Sequence, residues 1–527
     1  MTLFSEFVRV CKRVEVTNSI NEKIDIISSF LSRLPRDEWE AALALLSGDP
    51  VGAGEGGLGV GFKTIREAIS NVQRPLFPLP KPTIREVYSK LLELAGYRGE
   101  GSSRMRVSAL QGLLAAMDEE ERIWLMKIIF GELRIGVSEG NLLKALAKAC
   151  NQDYERIRRL YMFHGSMKRL VEILSGGDIE PYLNKPTLFV PLRPMLATPA
   201  ESVDEAFSMI GGGEAAVEVK YDGARIQIHF KNGRVRVFSR RLTDVTESLP
   251  EISRIASEGL VRKVDEYIVE GEVIAYKEGR PLPFQVLMRR FKRIKDVERI
   301  MEEIPIRLYL FDALYLDGRL LIDEPYIRRF EVLGSIFREE LLVERIITDS
   351  VSEARNFYEE SVREGHEGVM VKNLSSPYVL GVRGKNWIKV KPAEYMDVVI
   401  VGAEWGHGRR RGWLSDYYLA VYEPREDRYY VVGKTFKGLT DQEFQYMTNR
   451  LKELIVKDEG YRVWVRPEIV VEVAYNEIQR SPKYRSGFAL RLARITRIRE
   501  DKDPRDVATL DDVRRLYTEQ VRYSLFK

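Results

Sequence analysis

The sequence predicts a multidomain chain with an all-α first third, an α+β domain in the middle and a small β-barrel, with an OB-fold as the natural candidate, at the end. Three observations carry this. At 527 residues the chain is too long for one core, and ordinary domain sizes divide it into about three or four units. Its hydrophobic period changes from helical to two across the proline-rich stretch NKPTLFVPLRPMLATPA (184–200). Beyond Asp397 the alternating runs shorten and are punctuated by glycines. The expected divisions are 1–187, 188–394 and 395–527.

In the first region EEERIWLMKIIFGEL places Ile123, Met126, Phe130 and Leu133 at helical spacing, which predicts an apolar stripe facing the core. GNLLKALAKAC (140–150) repeats the pattern. GAGEGGLGVGFKT (52–64) has the glycines of a phosphate-binding loop, but Phe62 separates Gly61 from Lys63 and no apolar strand leads into it, so it reads as a flexible loop. Pro186, Pro191, Pro194 and Pro199 make 184–200 an extended linker. Strands follow in AAVEVKYDGARIQIHF, GRVRVFSR, DEYIVEGEVIAY, IRLYLFDALYL, EGVMVKN and NWIKVKP, with helical stretches such as DEPYIRRFEVLGSIF between some of them. The last region offers DVVIVGAEWG, DYYLAVYE, RYYVVGKTF and IVVEVAYNEI, interrupted by the helical TDQEFQYMTNRLKELI.

Composition narrows the function classes. Hydrophobic content of 44% with 31% charged residues describes a globular chain, and no apolar run approaches the roughly 20 residues of a membrane span. The N-terminus lacks the apolar region and cleavage site of a signal peptide. Cys11 and Cys150 are the only cysteines, which excludes a disulfide framework and a four-cysteine zinc site. Net charge is +4, unevenly spread: from Arg480 to Lys527 there are 13 Lys or Arg against 7 Asp or Glu, a surplus of six. GHGRRRGW (406–413) adds a basic cluster suited to phosphates, and equally to an ordinary solvated face.

The chemistry lies in EVKYDGAR (218–225). Strand alternation puts Glu218, Lys220 and Asp222 on one face, and Gly223 permits a tight turn. A lysine held on a rigid strand becomes a nucleophile when neighbouring cations lower its pKa. K-x-D-G alone is a weak signal, compatible with a surface lysine before a turn. EGE (270–272) sets Glu270 and Glu272 in an otherwise apolar strand, and EGVMVK (367–372) supplies Glu367. Such carboxylates suit Mg²⁺, which is often shared with substrate phosphates. WIKVK (387–391) places Lys389 and Lys391 on one strand face as two point charges for a phosphate.

Taken in order, these runs resemble the sequential motifs of the covalent nucleotidyltransferase superfamily, with an ATP-grasp-like adenylation domain. KYDGAR is similar to the nucleophile motif, followed by FSRR (238–241), EGE, YLFDALYLDG (309–318), EGVMVK, WIKVK and RIREDK (497–502). Within it the chain resembles ATP-dependent DNA ligases of the archaeal and eukaryotic replicative type. FGELRIGVSEGNLLKAL (130–146) looks like their DNA-binding domain, and RPMLA (193–197) like the start of their catalytic domain. The resemblance implies ATP as AMP donor, Mg²⁺ (or Mn²⁺) as metal, and nicked duplex DNA as substrate. It implies that Lys220 attacks the α-phosphorus, that AMP passes to the 5′-phosphate of the nick, and that the 3′-hydroxyl displaces it. It further implies that Arg225 and Arg240 contact nucleotide and nick phosphate, that Phe311 stacks on adenine, and that Glu218 contacts the base. Glu270 falls among the nucleotide-binding positions. Glu272 and Glu367 would serve ribose or metal, Lys389 and Lys391 the α-phosphate, and Arg499 and Lys502 the leaving pyrophosphate in the first step. The chain departs from the family at RLAR (491–494), where R-F-P-R is usual.

Other readings fit less well. An NAD-dependent ligase usually carries a four-cysteine zinc module, while capping enzymes and RNA ligases leave the helical first third unexplained. A catalytically dead DNA-binding scaffold would be expected to lose Lys220, Glu367, Lys389 and Lys391 first. The resemblance alone implies a toroidal sliding clamp as a partner, since neither QGLLAAMD (111–118) nor QVRYSLFK (520–527) carries the paired aromatics of a clamp-binding peptide. A monomeric cytoplasmic enzyme working on the nucleoid is expected, open when free and closed around DNA, with salt-sensitive binding blind to sequence.

Overall fold

In the computed structural model all residues are described except 52–57, 71–76, 78, 292–296, 393 and 527, and the side chains of 519–526. Part of the glycine-rich segment therefore lies outside the described residues; its end, from Phe62, starts a helix to Ser70.

Helices fill the chain from Phe4–Val16 to Glu180–Leu183. Local chemistry sets their starts. Thr83 and Glu86 form a reciprocal capping box at the helix Ile84–Gly96, as do Asp118 and Glu121 at Glu119–Ile129. These helices enclose one apolar core that includes Phe4, Phe30, Leu91, Leu125, Leu146 and Leu170. The stripe expected on Glu119–Ile129 needs correction. Trp124, Leu125 and Ile128 are buried, whereas Ile123 and Phe130 are 53% and 45% exposed. The segment is apolar on more than one side, and only the packing of neighbouring helices selects the face that is covered. Gln111–Asp118 lies mostly within the helix Ser102–Ala115, which buries Leu113 and Leu114; the side chains of its C-terminal counterpart, 520–527, lie outside the described residues.

The central region holds strands β1 (Leu196–Ala200), β2 (Ala215–Val219), β3 (Ala224–Lys231), β4 (Arg234–Ser239), β5 (Glu266–Lys277), β6 (Arg280–Pro281), β7 (Ile306–Leu316), β8 (Arg319–Leu320), β9 (Arg345–Thr348), β10 (Val369–Asn373) and β11 (Arg383–Val390). They form two sheets, ordered β1-β11-β10-β2-β9 and β4-β3-β5-β7-β8, with β6 on β5. Only the β1–β11 pairing among these is parallel. Residues Ala215–Val219 are buried on both faces because the second sheet packs on one and the helices Val203–Met209 and Val351–Arg363 on the other. β2 also stops at Val219, so Lys220 and Asp222 leave the strand instead of continuing its alternation with Glu218.

The C-terminal region adds β12 (Glu394–Trp405), β13 (Leu414–Glu423), β14 (Arg428–Thr435), the helix Asp441–Glu453, β15 (Ile455–Asp458), β16 (Arg462–Tyr475), β17 (Glu477–Arg480), β18 (Phe488–Arg491) and β19 (Arg494–Ile498). The sheet runs β14-β13-β12-β16-β15, with β19 on β16 and a separate β17–β18 hairpin. Its core is independent of the others and includes Ile400, Tyr417, Phe444 and Val471. A fourth cluster joins the helical and central regions, packing Met162 and Phe163 against Leu192, Met195, Ile268 and Tyr315.

Candidate active site

The end of β2 meets the start of β10, where the Lys220 amide donates to Gly368 O and the Glu367 amide to Lys220 O, both at 2.8 Å. So close a pass requires glycine. Gly368 has φ +126°, and a Cβ there would lie 2.2 Å from Val390 O. The turn after Lys220 is as tight, since a Cβ on Gly223 would lie 2.4 Å from Val273 O.

This geometry delivers Lys220 into a cluster of charge. Its Nζ donates to Glu367 Oε2, while Lys391 pairs with Glu367 Oε1. Lys220 keeps only a fifth of its side chain in contact with solvent. Burial is the main reason its pKa falls below the usual value; Glu272 and Asp222 oppose the shift, and Arg240 and Arg491 reinforce it. Lys391 is brought down to about 7 by burial, then by Lys220. Lys389 is lowered for the same two reasons. A low-dielectric site with converging cations is where an amine becomes nucleophilic near neutral pH and where a phosphate is welcome.

Glu272 faces the same cluster. Burial raises its pKa to about 7 despite Lys220 and Arg225, and its carboxylate has no hydrogen-bond or ion-pair partner among the described residues. An unpartnered carboxylate beside a phosphate pocket fits a Mg²⁺ ligand; Asp222 is the carboxylate whose charge it feels, and Glu367 becomes a further donor once it leaves its lysines. Among the described residues no group of three or more His, Cys, Asp or Glu is assembled. A metal held by one or two carboxylates and completed by substrate phosphates is compatible with that.

Deeper in, Glu218 is 2% exposed; it pairs with Lys372 at 2.6 Å and accepts from the Tyr326 hydroxyl. The Lys372 ammonium lies 4.9 Å from the Phe311 ring centroid and 4.3 Å from that of Trp387. Arg225 stands 5.3 Å from both rings. Its guanidinium donates to Glu270 at 2.6 Å, Tyr378 Oη at 3.0 Å and Met195 O at 2.7 Å. Glu270 is thus an internal partner of Arg225, only 1% exposed. Arg240 is exposed, its amide bonded to Arg225 O at 3.1 Å.

The structure therefore gathers Lys220, Glu272, Glu367, Lys389 and Lys391 at the mouth, and Glu218, Arg225, Glu270 and Phe311 below. Arg499 and Lys502 are engaged elsewhere. Both hold Asp397, at 3.2 and 2.5 Å, and Arg499 also holds Asp501 at 2.8 Å. Arg491 from the RLAR segment is nearer, acting on Lys220, Lys389 and Lys391, while Arg494 pairs with Glu201 at 2.8 Å across to the central region. Sequence reasoning missed Lys372, Tyr326, Tyr378 and Gln227. Lys372 closes the EGVMVK motif and Gln227 shares a strand face with Arg225, so both had a local signal; Tyr326 and Tyr378 had none.

Known proteins place this arrangement. Residues 194–391 match the family ATP dependent DNA ligase domain, 410–502 the ATP dependent DNA ligase C terminal region, and 62–147 the DNA ligase N terminus. DNA ligase 1 of Korarchaeum cryptofilum is 42% identical over 99% of both chains. The chain belongs to the ATP-dependent DNA ligases. The DNA ligase of Archaeoglobus fulgidus is 38% identical to this ligase over 98% of each chain, and a probable DNA ligase of Anaeromyxobacter dehalogenans 42% over 98% of this one and 99% of its own. The solved structure "Pmar-Lig_Pre." shares the fold at TM-score 0.57, with 17% identity over 94% of this chain and 99% of its own. The ligase seals nicks in DNA at the expense of ATP. No helix among its described residues is long and apolar enough to cross a membrane.

Proposed function

We propose that Lys220 is the nucleophile of this ligase. The observation that carries the reading is its depressed pKa beside Lys389 and Lys391, with Nζ aimed by Glu367. As the neutral amine, Lys220 forms a bond to the α-phosphorus of ATP while the bond to pyrophosphate breaks. Lys389 and Lys391 neutralise the charge spread over the α-phosphate oxygens. Phe311 offers a flat face to adenine and Glu218 an acceptor to its amino group. Glu272 and Glu367 would hold Mg²⁺, or Mn²⁺, which screens phosphate charge. Arg225 and Arg240 steady the nucleotide and the nick phosphate. Arg499 and Lys502, held on Asp397 of their own region, would meet the leaving pyrophosphate once that region turns toward the site. AMP then passes to the 5′-phosphate of the nick, and the 3′-hydroxyl displaces it.

The separate cores at Phe4–Leu183 and Met396–Val513 support division of the chain near residues 187 and 394, with the last part an OB-fold barrel. We read the enzyme as a monomer acting in replication, repair and recombination, with a sliding clamp as partner. The test of the nucleophile is incubation with α-labelled ATP and Mg²⁺, wild type beside Lys220→Ala, then denaturing electrophoresis and a chase with nicked duplex. Label on the wild type alone, lost as the nick closes, is expected; equal labelling of Lys220→Ala would sink the assignment.

A further inference from the structure

Behind Arg225 lies a chain of buried polar groups, Glu270, Gln227 and His229, that the ligation steps themselves do not use. Arg225, Gln227 and His229 alternate along one face of β3, and Gln227 pairs in register with Glu270 on β5. Gln227 is 4% exposed and His229 fully buried. Gln227 Oε1 accepts from the Leu192 amide at 2.7 Å and from His229 Nε2 at 2.8 Å. Its Nε2 donates to Leu192 O at 3.2 Å and to Glu270 Oε1 at 3.3 Å. Both acceptor and both donor positions of the amide are used, which leaves one orientation open to it. His229 completes the set: burial keeps it neutral, with a pKa near 3, and its Nδ1 accepts from the Phe189 amide at 3.1 Å.

The far end of the chain is Glu270. One oxygen takes Gln227, and the other takes Arg225 at 2.6 Å and the Tyr378 hydroxyl at 2.7 Å. Phe189, with φ +69°, and Leu192 belong to the linker that leaves the helical region. A phenylalanine in the left-handed region persists only where its surroundings over-determine it. Here His229 grips the amide of that residue, and Gln227 grips both backbone groups of Leu192 three residues on.

We propose that Gln227 is a positioning residue for Arg225, acting through Glu270, with Leu192 and His229 of its surroundings fixing Gln227 itself. The inference rests on the reading of Arg225 as a nucleotide contact. Without Gln227, Glu270 loses the partner of its Oε1 and is held through Oε2 alone, and the guanidinium beside Phe311 loses its alignment. The linker from the helical region is thereby part of the apparatus that shapes the nucleotide site.

A mutant cycle on lysyl-AMP formation tests this, using full-length wild type, Gln227→Glu, Arg225→Lys and the double variant with ATP varied. Gln227→Glu keeps an acceptor for Leu192 and His229 but sets a like charge against Glu270. Gln227→Met is run in parallel without the added charge, and thermal unfolding checks that each protein is folded. A Gln227 change is expected to lower kcat/KM for ATP by about tenfold, mainly through KM, and to add less than about twofold once Arg225 is already Lys. Losses that multiply in the double variant overturn the proposal while leaving Arg225 in its role. An Arg225→Lys protein that forms lysyl-AMP like the wild type removes that role, and the proposal with it.

Discussion

The reactivity proposed for Lys220 rests chiefly on burial, reinforced by Arg240 and Arg491, and Lys391 is the cation that shares its carboxylate partner Glu367. Replacing Lys391 with Met removes a cation and also frees Glu367 to pair more fully with Lys220. Both changes favour the ammonium form, so the pKa of Lys220 rises. The acid limb of lysyl-AMP formation is expected to move to higher pH, with the rate at pH 7 down by about tenfold or more. A pH–rate profile of single-turnover labelling reads this; a slower reaction with an unmoved limb would mean that Lys391 acts on the phosphate alone. His229 yields a second prediction at this scale. Its folded pKa lies near 3, below the ordinary 6.5. A base with a depressed pKa contributes stability that is complete above about 6.5 and is lost as pH falls toward 3. Between pH 6 and 5 the loss approaches about 1.4 kcal/mol per unit from this residue. Urea unfolding of wild type and His229→Asn across that window should show the slope reduced in the variant by that amount.

At the scale of elements, the site depends on how closely β10 and β11 approach the end of β2. Gly368→Ala would place a Cβ 2.2 Å from Val390 O in a region of φ that alanine avoids. The expected cost is about 2–4 kcal/mol, with the Lys220–Glu367 backbone pairing displaced. A drop in thermal midpoint accompanied by loss of lysyl-AMP is the anticipated result, and an alanine variant of unchanged stability would contradict the geometry. The same scale shows how much was legible in advance. Strands carrying the motifs follow from period two and the glycine turns, because a pleated strand repeats every second residue. The covered face of Glu119–Ile129 does not, because apolar residues surround that helix and its neighbours choose among them. The alternation of Glu218, Lys220 and Asp222 failed where β2 ends, since strand length is set by pairing with β9 and β10.

For the whole molecule, the two junctions of the central region differ in kind. The helical region is joined by an apolar cluster around Met162, Phe163, Leu192 and Met195, backed by Arg159–Asp323 at 2.6 Å. The C-terminal region reaches across with Arg494–Glu201, an ion pair at 2.8 Å with both partners well exposed. Exposed pairs contribute little and weaken with salt. The C-terminal region is therefore the part expected to move. Small-angle scattering of the free enzyme should show a less compact particle than the complex with nicked duplex, the more so at high salt. A shape that stays compact and unchanged on binding would refute closure.

By itself the sequence determined which residue types stand ready for chemistry, and the order in which they occur. Lys220, Glu367, Lys389 and Lys391 stood out as candidates because phosphoryl transfer needs an amine, carboxylates and point charges on rigid strands, and short motifs record that need. Only the tertiary structure decided their partners. Glu218 meets Lys372, Glu270 meets Arg225 and Gln227, and Arg499 and Lys502 meet Asp397, each across a long stretch of chain. Such pairings come from sheet register and the packing of one sheet on another, which no local pattern of residues encodes. They also set the pKa values, because burial and neighbouring charge exist only once distant segments have come together.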